Sequence, residues 1–338
     1  MSSIELTQLA RAPLLLLTYA EQRGIDTDEL MQAASLTPEA LKDPDSRIPL
    51  SAQLKLWRAL IEHTESAACG LEIGRSVSAE QLGVVGYTMA YSQTLGQAYQ
   101  RLARYMRIIS EATIFEVVHC ADSARLQFTT HPYLVALRHP IEGQVAAILT
   151  VGRKITQTDF VPLEISLPTT KPINTRIYRE TFRCRLRFDQ PEAAFVLTTD
   201  QMQLPLNAAD GTLSGYLEEL ASAKLHALRT PQEPFGDTVR RMLWSDLSSG
   251  KPELSNVASQ LGISARTLQR RLRQNGTSYS LVLDELRREV SSELLVEGNL
   301  AVSDVAYLLG YSEPSAFQRA FRRWYELTPR QFKSRRAA

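Results

Sequence analysis

Apolar residues recur at helical spacing in two stretches of the last third of the chain, and the two stretches share one pattern. They run from Leu254 to Leu272 and from Val302 to Phe321. Each predicts a first helix with a Val-Ala pair, a glycine that ends it (Gly262 or Gly310), and a second helix. The alanine permits close helix crossing, and the glycine tolerates a left-handed turn. This order is typical of a helix-turn-helix, whose second helix can enter a DNA major groove.

The second helix of each stretch is expected to bury an apolar stripe and to expose a polar face. The inner stripes consist of Leu268 and Leu272 in the first copy and of Phe317, Ala320, Phe321 and Trp324 in the second. Ser264 and Ser312 can each cap a helix start. The candidate DNA-contacting residues are Ser264, Arg266, Gln269, Arg270, Arg273, Ser312, Ser315, Gln318, Arg319 and Arg322. Arg and Gln suit bidentate contacts with purine edges, and the plainer alternative is a solvated charged face.

The segment between the two copies predicts one long helix. Its apolar residues lie at helical spacing, at Leu283, Leu286, Val290 and Leu294. A helix from about Ser280 to Glu297 would be about 27 Å long. Consecutive major-groove faces on one side of DNA lie about 34 Å apart. One chain could therefore present two reading helices to consecutive groove segments.

Residues from about 236 to 335 resemble the DNA-binding domain of AraC/XylS-type regulators. The matching motifs are VASQLGISARTLQRRL, LDELRREVSSELL and VSDVAYLLGYSEPSAFQRAFRRW, followed by Thr328-Pro329 and Phe332. The resemblance implies two helix-turn-helix units joined by a long helix, double-stranded DNA as partner, and contact with RNA polymerase. The chain departs from the family at Glu326, where the family usually has glycine, so a left-handed turn there would be strained.

The rest of the chain predicts a mixture of helices and short strands. Residues from about 5 to 110 predict mainly helices, including one that ends at Gly24, one that starts at Ser51 and a long one capped by Thr94. Thr113 to His119 and Ala124 to Thr130 predict a hairpin. A buried helix is expected over 141–155, short strands near 162–167, 185–188 and 195–197, and helices over 174–182 and 210–228.

These patterns predict two domains. An α+β N-terminal regulatory domain is expected over 1–228, and an all-α C-terminal domain of two helix-turn-helix units joined by a long helix over 236–338. The linker is placed at 229–235, where two prolines and the absence of an apolar run break the periodicity.

Charge and cysteine usage refine this picture. The net charge is +1, yet from Gly236 onward there are 16 Lys or Arg and 11 Asp or Glu, so the basic surplus lies in the predicted DNA-binding domain. Three scattered cysteines suit a reducing cytoplasm better than a disulfide framework. The first residues lack the features of a signal peptide, and no apolar run is long enough for a bilayer. We therefore expect a cytoplasmic protein without a membrane partner.

The N-terminal region resembles the regulatory domain of one branch of AraC-type regulators, often called the arabinose-binding type. The carrying segments are Leu71 to Gly74, Gly83 to Tyr105, Thr181 to Phe188 and Leu204 to Asp210. The resemblance implies a domain that senses a small effector, mediates homodimerisation, or does both. It does not identify the effector, because members of this branch answer to different compounds.

Other sites in this region have plainer explanations. His119, Cys120, His131 and His139 invite a metal hypothesis, but no spacing brings them together, and we expect no metal and no cofactor. Tyr87, Tyr91, Tyr99 and Tyr105 could line an effector pocket, although aromatics at helical spacing usually belong to a core. Arg183, Arg185 and Arg187 could bind an anion or could form a solvated or dimer-facing strand edge.

The sequence thus predicts a one-component transcriptional regulator without a catalytic constellation. No nucleophile elbow, phosphate-binding loop or zinc-protease motif is present, and none of the cysteines follows a proline as in methyl-accepting repair proteins. Two alternatives remain: an enzyme or metal sensor that its C-terminal domain locates on DNA, and a regulator that has no effector. The effector, the operator, and activation versus repression stay open.

Overall fold

The computed structural model describes residues 6–64, 66–208, 211–228, 235–248, 252–297 and 300–336. Its contacts group residues 1–130 and 137–229 into one compact unit, and residues 230–338 together with 131–136 into a second. Most of the predicted linker, 229–234, lies outside the described residues. No helix of the described ranges is long and apolar enough to cross a bilayer.

The first part of the first unit is mainly helical, as predicted. In chain order it contains β1 (Thr7–Leu9), α1 (Arg11–Glu21), α2 (Thr27–Ala33), α3 (Pro38–Leu41), β2 (Arg47–Pro49), α4 (Leu50–His63), α5 (Cys69–Ser76), a 3-10 turn (Ala79–Leu82), α6 (Val84–Ala90) and α7 (Leu95–Ile109). The predicted cap of α7 is present, since the Thr94 side chain accepts a hydrogen bond from the Gln97 N–H at 3.3 Å.

A five-stranded sheet and four further helices complete this unit in the described ranges. The short helix Pro132–Ala136 lies in the same stretch of the chain but groups with the second unit. In chain order they are β3 (Thr113–His119), β4 (Ser123–Thr130), α8 (Pro132–Ala136), α9 (His139–Thr156), β5 (Glu164–Ser166), α10 (Arg176–Phe182), β6 (Arg185–Arg187), β7 (Ala193–Thr198), α11 (Thr199–Met202) and α12 (Gly211–Ala227). The strand order is β3-β4-β7-β5-β6, with β5 and β6 parallel and the other pairs antiparallel. The predicted hairpin forms between β3 and β4, and β6 lies at a sheet edge.

Aromatic side chains join the sheet to α7. Alternate residues of β4, including Leu126 and Phe128, are buried, as expected of a sheet with one covered face. The Tyr99 ring of α7 lies 6.2 Å from the ring of Phe115 and 5.7 Å from that of Phe195. Tyr99 and Tyr105 are almost fully buried, so the core interpretation of these two tyrosines is confirmed.

Helices α5 and α9 cross at three glycines. A Cβ atom on Gly70 would lie 2.0 Å from the carbonyl oxygen of His139, and one on Gly74 would lie 2.5 Å from that of Gly143. Both separations are far below van der Waals contact, so any larger residue would force the two backbones apart.

The second unit is helical in its described residues, apart from turns. From the predicted linker onward its helices are α13 (Phe235–Ser248), α14 (Leu254–Gln260), α15 (Ala265–Gln274), α16 (Tyr279–Glu297), α17 (Val302–Leu308), α18 (Pro314–Tyr325) and α19 (Pro329–Arg336). Helices α14 and α15 form the first predicted helix-turn-helix, α17 and α18 form the second, and α16 is the predicted long connection. Gly262 and Gly310, with φ of 65° and 69°, make the left-handed turns that the sequence required.

Candidate nucleic-acid interface

The first helix-turn-helix holds α15 by one cap and one apolar stripe. The Ser264 side chain accepts a hydrogen bond from the Thr267 N–H at 3.2 Å, which confirms the predicted cap. Leu268 and Leu272 are completely buried. The inner stripe therefore fixes which side of α15 faces solvent.

The outer face of α15 is basic and accessible. The side chains of Arg266, Gln269, Arg270 and Arg273 are exposed, and with Thr267 and Gln274 they line an open groove of about 580 Å³. Among the described residues no carboxylate lies within 4.0 Å of these three arginines. Their guanidinium groups are consequently available to an external anion.

The second helix-turn-helix starts its outer helix differently from the prediction. Helix α18 begins at Pro314, its N-cap is Glu313, and no side chain caps it. The expected cap by Ser312 is therefore wrong, because the second copy has one more residue than the first between its glycine and its first buried helix residue (Phe317 against Leu268). Proline at the first helical position has no N–H to satisfy, which reduces the need for a cap.

The outer face of α18 is nevertheless polar and accessible. Phe317 and Phe321 are completely buried, and the residues on the opposite side are exposed: Ser312, Ser315, Gln318, Arg319 and Arg322. The Ser315 hydroxyl donates to the Glu313 carboxylate at 3.2 Å. In the described part of the chain, neither Arg319 nor Arg322 has a carboxylate within the 4.0 Å limit of an ion pair.

Contacts from α16 position the second helix-turn-helix, and sequence reasoning missed them. The Asp284 carboxylate accepts hydrogen bonds from Arg323 Nη2 at 2.6 Å and from Trp324 Nε1 at 2.8 Å, both on α18. The Arg288 carbonyl accepts another from the Tyr325 hydroxyl at 2.8 Å. The motif LDELRREV predicted a helix, but it does not indicate which distant side chains its charged residues contact.

Arg287 of α16 holds the turn of the second helix-turn-helix. Its guanidinium donates to the carbonyl oxygens of Leu309 and Gly310, at 2.9 and 3.1 Å, and lies 4.3 Å from the centre of the Tyr311 ring. Burial lowers the pKa of Arg287, as expected for a cation withdrawn from water. Arg287 thus neutralises the carbonyl ends of α17 and anchors the turn to α16.

Two groups of arginines in the second unit differ in their contacts. Arg287, Arg323 and Arg240, which is ion-paired with Glu289, are engaged within the protein. The arginines of the two outer faces (Arg266, Arg270, Arg273, Arg319 and Arg322) have no such partners in the described ranges. A planar guanidinium without an internal partner can bind a phosphate or form a bidentate contact with a guanine edge.

The three candidate arginines of the first unit are paired with carboxylates. Arg183 is paired with Asp159, and Arg187 Nε lies 2.7 Å from the Glu164 carboxylate, which Arg185 also approaches at 3.7 Å. These pairs favour the strand-edge interpretation over an anion site. No group of three or more His, Cys, Asp or Glu side chains in the described ranges could hold a metal ion.

Comparison with known proteins finds two matching family models, several relatives and a similar solved structure. Residues 24–206 match the model of the arabinose-binding domain of AraC transcription regulators, and residues 257–335 match a helix-turn-helix domain. The ornithine utilization regulator of Pseudomonas aeruginosa is 28% identical over 330 residues, covering 97% of this chain and 96% of that protein. The regulator VirS of Mycobacterium tuberculosis is 25% identical over 315 residues, covering 92% of each. The crystal structure of the regulator CdpR from P. aeruginosa is 21% identical, with a TM-score of 0.49 and coverage of 95% of this chain and 97% of that chain.

The first family model alone spans more than half of the chain, and the second covers both helix-turn-helix units except the first residues of α14. The chain belongs to the AraC family of transcription regulators, as a DNA-binding regulator with an effector-responsive N-terminal domain of the arabinose-binding type.

Proposed function

We propose that α15 and α18 read two consecutive major-groove segments of one operator half-site. The observation that carries this proposal is the set of five outer-face arginines without carboxylate partners in the described ranges, divided between the outer helices of the two helix-turn-helix units. Helix α16, with 19 residues, is about 28 Å long, which is comparable to the roughly 34 Å between consecutive groove faces.

The individual roles follow from position. Arg270 lies at the centre of the α15 outer face, between Arg266 and Arg273, and Arg319 lies at the centre of the α18 face. Central arginines are proposed to contact guanine edges. Gln269 and Gln318 are proposed to contact adenines, and Ser264 and Ser312 to approach phosphates near the helix starts.

Selection of genomic fragments by the purified chain, followed by binding measurements on the recovered operator, tests this function. Arg270→Ala and Arg319→Ala should each lower affinity roughly 5- to 150-fold and relax the base preference at one position. Arg271→Ala is the matched control, since it removes the same charge from α15 but from a guanidinium that lies 5.6 Å from the Phe235 ring centre. If both variants kept wild-type affinity and base preference, the proposed reading faces would be wrong.

We infer that the chain forms a homodimer through α12. Tyr216 is 64% exposed and Leu220 39% exposed, and together with Leu213, Ala223 and Ala227 they form an exposed apolar seam with heptad spacing. Pairing of two copies along this seam would bury the apolar side chains that a single copy leaves exposed.

Light scattering at micromolar concentration tests the dimer. Wild-type chain should have twice the monomer mass, and the double variant Tyr216→Glu, Leu220→Glu should be monomeric, because two charges in a coiled-coil seam would be desolvated without partners. Gln203→Glu, an exposed change outside α12, should remain dimeric. A monomeric wild type, or a dimeric double variant, would exclude this interface.

The remaining partners are proposed from the family and from the DNA-binding role. We infer that the chain acts in the cytoplasm, where bacterial regulators meet DNA, that it contacts RNA polymerase, and that it catalyses no reaction itself. One relative is named for ornithine utilization, so ornithine and related amino acids belong in the first ligand screen. Ligand-dependent DNA affinity supports the effector role, whereas turnover of a ligand would support the enzyme alternative.

A further inference from the structure

A cavity of about 450 Å³ opens beside the edge strand β6 of the first unit. Its walls come from the loop before α10, from α10 itself, and from β6 with the turn that follows. The residues that matter for its chemistry are Lys171, Arg179, Cys184, Leu186, Phe188 and Asp189. The volume lies within the range of ordinary small-molecule sites.

The floor of the cavity is apolar. Cys184, Leu186 and Phe188 pack on the main core of the first unit on one side and remain only partly buried. Their uncovered surface therefore faces the cavity and can bury a short carbon chain.

Two cations at the rim lack the partners that their neighbours have. On the same short helix Arg176 is ion-paired with Glu180 at 2.8 Å. Lys171 and Arg179 are exposed, and no described carboxylate approaches either of them within ion-pair distance. An anionic group placed between them would find two unengaged donors.

A carboxylate completes the rim. Asp189 is exposed, with φ of 56°, and its N–H donates to the Thr169 carbonyl at 3.0 Å. Its side chain also has no ion-pair partner within the described ranges. The cavity thus offers two positive charges and one negative charge. The positive charges complement an anionic group of a ligand, and the negative charge complements a hydrogen-bond donor beside that group.

The walls are held by a buried carboxylate. Glu142 of α9, fully buried, accepts hydrogen bonds from Thr169 Oγ1 at 2.8 Å and from the Tyr178 hydroxyl at 2.7 Å. Tyr178 lies on α10, and its ring packs edge-on against Phe188 with centroids 5.6 Å apart. The loop, α10 and the floor are therefore fixed to one helix, as a preformed ligand site requires.

We propose that this cavity is the effector site and that the effector is a small organic acid with a hydroxyl or amino group beside its carboxylate. The carboxylate would lie between Lys171 and Arg179, the second group would donate to Asp189, and the carbon chain would cover Leu186 and Phe188. The assignment rests on the effector-responsive function concluded above and adds the location and the chemical class.

Titration calorimetry of the full chain with four five-carbon probes tests the assignment: pentanoate, 2-hydroxypentanoate, norvaline and pentylamine. The three acids should bind and the amine should not. The hydroxy and amino acids should bind about tenfold more tightly than pentanoate, and Asp189→Ala should abolish that preference. Lys171→Ala and Arg179→Ala should each weaken acid binding at least about tenfold, and Arg179→Lys should restore most of it.

Arg176→Ala is the matched control, because it removes a cation of the same helix that is already paired and does not line the cavity. It should bind the acids like wild type. The cavity assignment would be overturned if no acid bound at up to about 10 mM, or if the Lys171→Ala, Arg179→Ala double variant bound as wild type does.

Ligand-free DNA binding separates this inference from the regulator function. All the cavity variants should retain the selected operator in a gel shift, since they lie outside the helix-turn-helix units. A wild-type chain that binds its operator but none of the acids would refute only the cavity. A wild-type chain that retains no genomic fragment would refute the DNA-binding function.

Discussion

Replacing Asp284 by alanine tests whether α16 positions the second reading helix. This one carboxylate accepts hydrogen bonds from Trp324 Nε1 at 2.8 Å and from Arg323 Nη2 at 2.6 Å. The Trp324 contact is half-buried, so its loss leaves an indole N–H without an acceptor and costs about 1.5–3 kcal/mol. The Arg323 side chain is 64% exposed, and its ion pair adds at most about 1 kcal/mol.

The expected total of about 1.5–4 kcal/mol corresponds to a roughly 10- to 900-fold increase in local opening. Hydrogen exchange of the full chain, followed by mass spectrometry, should show this increase in α18 but not in α15. Operator affinity should fall mainly through loss of contacts in the major-groove segment proposed for α18. Asp284→Asn, which keeps an acceptor for Trp324, should have a smaller effect.

Glu285→Ala is the control, because it removes an exposed neighbouring carboxylate for which the described structure has no ion-pair partner. If α18 exchanged in Asp284→Ala at the same rate as in Glu285→Ala, α16 would not be what holds the second reading helix.

Three further predictions concern stability. Gly74→Ala should lower the free energy of unfolding by more than about 2 kcal/mol, because the new Cβ would lie 2.5 Å from the Gly143 carbonyl oxygen. Gly215→Ala, whose Cβ would meet no atom within 4 Å, should raise the free energy of unfolding by about 0.5–1 kcal/mol. Urea denaturation measures both changes. Glu326→Gly should raise the melting temperature, since Glu326 has φ of 58° and glycine relieves about 1 kcal/mol of strain. Burial acts to raise the pKa of Glu111, but hydrogen bonds from Arg107 and Thr7 and the charge of Arg47 hold that pKa below its usual 4.5. Glu111→Gln should therefore destabilise the folded chain at pH 7, and the difference in stability from wild type should shrink as the pH falls below about 4.5. Equal destabilisation by Glu111→Gln at pH 7 and pH 3 would contradict that linkage.

The elements that could be predicted are those whose pattern is local. Helical and alternating periodicities depend on neighbouring residues, so the hairpin of β3 and β4, the cap at Thr94 and both helix-turn-helix glycines were predictable. At Glu326, where the family usually has glycine, the sequence indicated only that a left-handed turn would be strained, and the structure has that turn, with φ of 58°.

Contacts between distant segments could not be predicted. The order of the sheet brings β7 between β4 and β5, and no short-range pattern encodes that arrangement. The failed cap at Ser312 has a different cause: the extra residue and Pro314 move the start of α18 to a position where the serine is outside the helix. Likewise, the partners of Asp284 on α18 and of Arg287 in the turn after α17 are distant in the chain and follow from no local pattern.

The distribution of ion pairs explains how a nearly neutral chain can bind DNA. With 38 basic and 37 acidic residues, net charge alone indicates no affinity for phosphate. In the structure, however, arginines such as Arg183 and Arg187 are neutralised by carboxylates, whereas those of the α15 and α18 outer faces have no carboxylate partner among the described residues. An unengaged guanidinium can exchange water for phosphate or a base edge without first breaking an internal pair. Under the proposed function, specificity depends on the unpaired arginines of these two faces, and the same lack of a described ion pair leaves Lys171 and Arg179 available to an anion in the proposed effector site.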